Sequence, residues 1–233
     1  CLMHALLMAL NSFGLFQTRE SLWNNISIVD PLFTLPIAAL LVIALITRRK
    51  MFSFIAIGWI LFYLSLGFVQ YERTLSAAMQ LADSRGHNSE RLTLKPSFGN
   101  LILWKSIYEH DGIYFVDAIR TVYSSTWCSG ESIRKFDYQY HLPNLDRSSQ
   151  QAIDIERFRW FSQDYLGYDE KNSLVTDIRY SMLPNQIAPM WGIVIDKNQN
   201  MDEHASWWTG RSLDQNQLDL FKAMLSGKKC LDF

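Results

Sequence analysis

The sequence predicts an α+β protein: N-terminal transmembrane helices over residues 1–70, then a soluble, mainly antiparallel β-sheet domain with flanking helices over residues 71–233. Three observations predict it. First, the 22 Lys and Arg nearly balance the 23 Asp and Glu, yet residues 1–70 hold only Arg19, Glu20, Asp30, Arg48, Arg49 and Lys50. Second, residues 31–47 and 51–70 carry no charge at all. Third, turn signals beyond residue 85 separate short segments rich in β-branched and aromatic residues. The formal net charge of -1, with no long basic run, gives no electrostatic footprint for nucleic acid. Three cysteines, Cys1, Cys128 and Cys230, are too few and too scattered for a disulfide scaffold or a zinc ribbon. A hydrophobic content of 48% excludes disorder over most of the chain.

Residues 1–14, CLMHALLMALNSFG, read as the end of another apolar helix, so the chain is expected to begin partway through a larger protein. A lipidated Cys1 is the alternative. The runs 31–47 and 51–70 can each cross a hydrocarbon core of about 30 Å at about 1.5 Å per residue. Both are apolar all round, whereas helices of a soluble core, the other reading, are usually amphipathic. Pro36 lies near the start of its helix, where a proline is tolerated. The cationic link Arg48-Arg49-Lys50 makes a helical hairpin whose tip is expected in the cytoplasm. The polar half then lies on the other side of the membrane, an orientation that Arg19 and Arg73 oppose weakly.

Residues 71–85 read as an amphipathic helix leaving the membrane, stopped by Gly86. Segments 101–108 and 113–122 read as a hairpin, with Asp111-Gly112 in its turn. The polar stretch 123–150 is expected as a loop and 151–162 as a short helix. Two more strands are expected over 173–180 and 190–195. A closing helix is expected over 212–226, with Ser212 as cap, Leu213, Leu218, Phe221 and Leu225 inward, and Gly227 as stop.

No G-x-S-x-G, phosphate-binding loop, dinucleotide fingerprint, H-E-x-x-H or C-x-x-C occurs. His87, His110 and His204 sit in polar, turn-like surroundings and read as solvated, although His204 follows Asp202-Glu203, a pair able to hold a cation loosely. His141 lies near Asp137 and Asp146. His4 differs, because an ionisable group inside an apolar helix is expensive and marks a functional position, or a histidine bonded to nearby backbone. Trp160-Phe161 and Trp207-Trp208 suit core packing or contact with lipid headgroups. Cys128 and Cys230 could pair in an oxidising compartment. Asn25-Ile26-Ser27 is a glycosylation sequon that arises often by chance.

His4-Ala5-Leu6-Leu7 followed by Asn11-Ser12-Phe13-Gly14, then Ile28-Val29-Asp30-Pro31-Leu32-Phe33-Thr34, form an ordered set with three later segments. These are Pro96 with Asn100 to Lys105, Phe158-Arg159-Trp160-Phe161-Ser162, and Asp177-Ile178-Arg179-Tyr180. Together they resemble the bacterial inner-membrane metal-dependent hydrolases of the YdjM type, which are distantly similar to zinc-dependent phospholipase C. The resemblance implies a membrane-bound metal-dependent hydrolase acting on a phosphoester or lipid-like substrate. A divalent metal, zinc for example, would be held by His4, with Asp30 as ligand or base. Asp before Pro also suits a helix cap. The protein would be integral to the inner membrane, its soluble domain non-cytoplasmic and the lipid bilayer its first partner. Met8 stands where the family carries Asp, four residues after His4, and a thioether is a poor partner for such a cation. That substitution favours the alternative: a catalytically degenerate membrane protein whose soluble domain binds a partner or lipid.

Overall fold

A computed structural model describes residues 26–27, 29–196, 198–210, 214–228 and 230–232. His4 and the apolar stretch around it lie outside the described residues. Helix α1 (Pro31–Thr47) starts where Asp30 accepts a hydrogen bond from the Phe33 amide at 3.2 Å and Pro31 takes the first helical position. It continues through Pro36 and ends with Arg48 in the left-handed region, φ 53°. Helix α2 (Met51–Ser84) returns alongside it, and the Phe33 and Tyr63 rings meet with centroids 5.5 Å apart.

The helix expected over 71–85 is present as the continuation of α2, which runs unbroken for 34 residues. The hydropathy shift near Gln70 changes the surroundings of the helix, not its backbone, because nothing in FVQYERT interrupts the hydrogen-bond ladder. Up to Val69 the helix exposes Phe54, Leu61, Phe62 and Phe68. Beyond it, Gln70, Tyr71, Thr74, Ala77, Ala78, Leu81 and Ala82 are buried at helical spacing. α2 is long and apolar enough to cross a membrane; α1, at 17 residues, is apolar but shorter.

The buried face of α2 covers a five-stranded antiparallel sheet of order β1-β2-β3-β4-β9. Its strands are β1 (Arg91–Pro96), β2 (Leu103–His110), β3 (Ile113–Thr121), β4 (Ser125–Arg134) and β9 (Leu231–Asp232). The expected hairpin is β2–β3, with Asp111 at φ 49° and Gly112 at φ 69° in the turn. The expected loop 123–150 is corrected: it contains β4 and the short helix α3 (Tyr138–His141). Half of the β4 residues are exposed and only Cys128 is buried, so no apolar alternation marks the strand. Its ladder with β3, bulged between Val116 and Ala118, holds it. Gly130 is required there, because a Cβ would stand 2.0 Å from the Val116 carbonyl oxygen.

A second antiparallel sheet has the order β5-β6-β7-β8. It comprises β5 (Leu166–Asp169), β6 (Leu174–Asp177), β7 (Trp191–Val194) and β8 (Ser206–Thr209). Helix α4 (Gln150–Phe161), capped by Ser149, packs Ile155 and Phe158 among Phe136, Leu166, Val175 and Ile193. The closing helix α5 (Gln215–Leu225) is capped by Asp214 in a capping box with Gln217, not by Ser212, which lies outside the described residues. Gly227 follows at φ 82°. Cys128 and Cys230 are joined by a disulfide.

Helix and strands rise together. Gln70 Nε2 donates to the carbonyls of Leu101 and Thr121 at 3.2 and 2.9 Å. Fifteen residues on, Arg85 bonds the Tyr108 hydroxyl at 3.0 Å and pairs with Asp117 at 2.6 Å. Fifteen helical residues span about 22 Å and the seven strand steps from 101 to 108 about 23 Å. One end of the first sheet therefore adjoins the apolar part of α2, and the Asp111-Gly112 turn marks the opposite end.

Candidate functional site

At that far end lies an open cleft of about 560 Å³, lined by Gly112, Arg134, Lys135, Phe136, Asp137, Tyr138, Gln139, Tyr140, Arg147 and Arg159. Local hydrogen bonds build its walls. The Lys135 amide donates to the Gly112 carbonyl at 2.9 Å, which carries the end of β4 past the hairpin turn. The Asp137 carboxylate accepts from the Tyr140 amide at 3.1 Å and caps α3, presenting Tyr138 and Tyr140. Arg159 comes from the last turn of α4.

The cleft holds four cations and one carboxylate. Arg159 pairs with Asp164 and with Glu156, and Lys135 with Glu109 and Asp164 at 3.1 and 3.0 Å. Burial pushes the Asp164 carboxyl up, but the hydrogen bonds and charges of Lys135 and Arg159 outweigh it and hold it below its ordinary value. Arg134 and Arg147 make no ion pair among the described residues. Each lies against a tyrosine instead: Arg147 is 3.5 Å from the Tyr138 ring centre, and Arg134 is 4.6 Å from that of Tyr140. Burial raises the Tyr138 phenol well above its ordinary value, with a contribution from Glu156, so it stays neutral. Flat guanidinium groups held against aromatic rings suit phosphate or carboxylate oxygens.

Asp30 is not part of this cleft. Its carboxylate, only 4% exposed, accepts from the Phe33 amide and, at 2.7 Å, from the Tyr63 hydroxyl. It lies at the opposite end of the first sheet, where Pro31 approaches Gly99. Both oxygens are occupied in the cap that Asp-Pro suggests. No three His, Cys, Asp or Glu side chains come together as a metal-holding group among the described residues. His4, the ligand the resemblance implies, lies outside the described residues.

The other histidines are engaged locally. His141 Nδ1 is 2.9 Å from the Asp137 carbonyl, and its ring stacks on Phe136 behind the cleft. His204 Nδ1 is 2.8 Å from Asp154 Oδ2. His87 and His110 stack with centroids 4.4 Å apart, and His87 Nδ1 is 2.8 Å from the Tyr108 hydroxyl. Burial first, then the charges of His110 and Arg85, lower the His87 pKa. Trp160 and Trp207 are surface residues at 84% and 59% exposure rather than core.

The segments that carry the family resemblance have structural roles. Asn100 Oδ1 accepts from the amides of Ile102 and Leu103 and sets the entry to β2. Arg179 pairs with Asp177 at 2.8 Å in full burial and reaches Phe161 O and Gln163 Oε1, which ties 177–180 to 158–163. Residue-by-residue reading missed the cleft. Its signal was the density of cations and aromatics in RKFDYQY, completed by Arg147 and Arg159 from farther along. The chain matches no family model, no curated protein and no solved structure.

Proposed function

We propose that the chain is a membrane-anchored protein whose α+β domain binds a phosphate- or carboxylate-bearing ligand in the cationic, aromatic cleft. One observation carries this reading: Arg134 and Arg147 line a concave site on tyrosine faces without an ion pair among the described residues. An anion entering there meets guanidinium groups already held in place, so little side-chain entropy is lost on binding. In this reading α2, with α1 as the second arm of a hairpin, anchors the domain in an inner membrane. The cationic tip at 48–50 lies on the cytoplasmic side, and the Cys128–Cys230 disulfide supports an oxidising compartment for the domain.

The cleft lies about 30 Å along the strands from the level of Gln70. That is several Debye lengths, about 8 Å each at physiological ionic strength. The ligand then comes from solution rather than from headgroups of the anchoring bilayer. Calorimetric titration of the full chain in detergent with pyrophosphate tests this. The Arg134→Ala, Arg147→Ala double variant should bind about 100-fold more weakly. Unchanged affinity would refute the assignment. In nanodiscs, anionic lipid should leave pyrophosphate affinity unaltered; competition by that lipid would identify a headgroup as the ligand instead.

A second reading is the membrane-bound metal-dependent hydrolase that the resemblance implies. It is favoured by the meeting of 158–163 with 177–180 and by Arg159, from the first of these, entering the cleft. His4 would supply a zinc ligand and Asp30 a ligand or base. Purified full-length protein should then retain a divalent metal and lose it on His4→Ala. Stable, fully folded protein without metal would remove this reading.

A further inference from the structure

A lysine at the centre of the first sheet is unaccounted for by anchor or cleft. Lys105 sits in the apolar strand run LILWKSIY and is 4% exposed. Its Nζ donates at 2.7 Å to Ser181 Oγ and at 2.7 Å to the Gln186 carbonyl. Its neighbouring carboxylates are committed elsewhere: Asp177 to Arg179, and Glu131 to the Ile187 amide. Burial lowers the Lys105 pKa to about 7, against the pull of Asp177 and Glu131. A neutral amine is therefore accessible near neutral pH.

Ser181 is half-buried and lies on the connection between β6 and β7, held by a bridge to Pro189. Its hydroxyl donates to the Leu183 carbonyl at 2.6 Å, and the Gln186 amide donates to the same oxygen. Rotation about Cβ–Oγ redirects that proton to a neutral Lys105. Lys95 stands directly opposite Lys105 in the β1–β2 ladder and so projects from the same face. Its Nζ is 5.6 Å from the ring centre of Tyr180, the residue preceding Ser181. A nucleophile, a desolvated base, a carbonyl that orients the base and a nearby cation are thus brought together.

We propose that Ser181 and Lys105 form a nucleophile–base pair that hydrolyses carboxylic esters. As Ser181 Oγ attacks the ester carbonyl carbon, its proton passes to the Lys105 amine, and the Lys95 ammonium stabilises the oxyanion. Collapse breaks the acyl C–O bond, and the departing alkoxide takes the proton from Lys105. A water molecule, deprotonated by the same amine, then attacks the acyl-serine; the acyl–Oγ bond breaks, Ser181 Oγ recovers the proton from Lys105, and the carboxylic acid is released. Ester and water become acid and alcohol, with the enzyme restored. An ester is favoured over an amide because one base serves both steps, and an alkoxide departs without a second acid. Lys105 is about 13 Å along β2 from the level of Gln70, so esters at the membrane surface are within reach.

This inference is independent of the anion cleft. The full chain in detergent is treated with a fluorophosphonate probe, and the labelled peptide is identified by mass spectrometry. Label should appear on Ser181, with a rate rising to half its maximum near pH 7. Lys105→Met should slow it about 100-fold, and Lys105→Arg, which keeps a buried cation but no accessible base, should not restore it. If Lys105→Met does not fold, the wild-type pH profile and Ser181→Ala decide. Absence of label on folded protein, label that persists in Ser181→Ala, or a rate indifferent to pH between 6 and 8 would each overturn the proposal.

Discussion

Removal of the Cys128–Cys230 disulfide reports how the end of the chain is held. The cysteines are 102 positions apart, and their bridge fastens the segment after α5 to β4. In the folded state they pack with Leu103, Ala118, Leu183 and Met224, so alanine at both positions sacrifices little apolar contact. The effect falls mainly on the unfolded chain. Opening a loop of about 100 residues returns entropy worth about 4.7 kcal/mol at 25 °C in the loop-closure treatment, and measured losses centre on about 2–4 kcal/mol. Urea unfolding of the full chain in detergent, followed by tryptophan fluorescence, should show the Cys128→Ala, Cys230→Ala variant less stable by about 3 kcal/mol. Without reductant, an alkylating reagent should leave Cys128 and Cys230 unmodified. A loss below about 1 kcal/mol, or rapid alkylation of Cys128 and Cys230 in folded protein, would refute the reasoning.

Two other perturbations probe the interior charges. Arg179→Ala strands Asp177, which is fully buried, and breaks the tie to Phe161 and Gln163. Its cost should be about 3–5 kcal/mol in the same denaturation assay, and a loss near zero would contradict the buried-pair assignment. Asp164 has a folded-state pKa held below the ordinary carboxylate value by Lys135 and Arg159. Its stabilisation is fully present above that ordinary value and is lost as pH falls through the lower folded one, so Asp164→Asn should flatten the acid limb of stability against pH; an unchanged limb would count against it.

What could be read from the residues follows how locally each feature is encoded. The β2–β3 hairpin was legible because Asp111-Gly112 supplies two positive φ angles between β-branched runs. β4 was not, since its stability comes from pairing with β3 and only one of its residues is buried. The continuity of α2 was obscured because composition changes at Gln70 while the backbone does not. Asp30-Pro31 announced a cap, and the Tyr63 partner, 33 positions away, could only come from the fold. The cleft gathers Arg134, Arg147 and Arg159 from separate elements, and each alone reads as a surface charge. Lys105 in an apolar strand was a visible signal, but its meaning depended on Ser181, 76 positions distant.

The absence of any break in α2 at Gln70 has a mechanical consequence. If α2 anchors the domain as proposed, a lean to match a thinner bilayer would carry the sheet with it, because the helix runs unbroken from Met51 to Ser84. A lean of about 10° sweeps a point about 30 Å away through about 5 Å. In the anchored reading proposed above, membrane thickness would thereby become a setting for the reach of the distal opening, as a dial governs the tip of its needle.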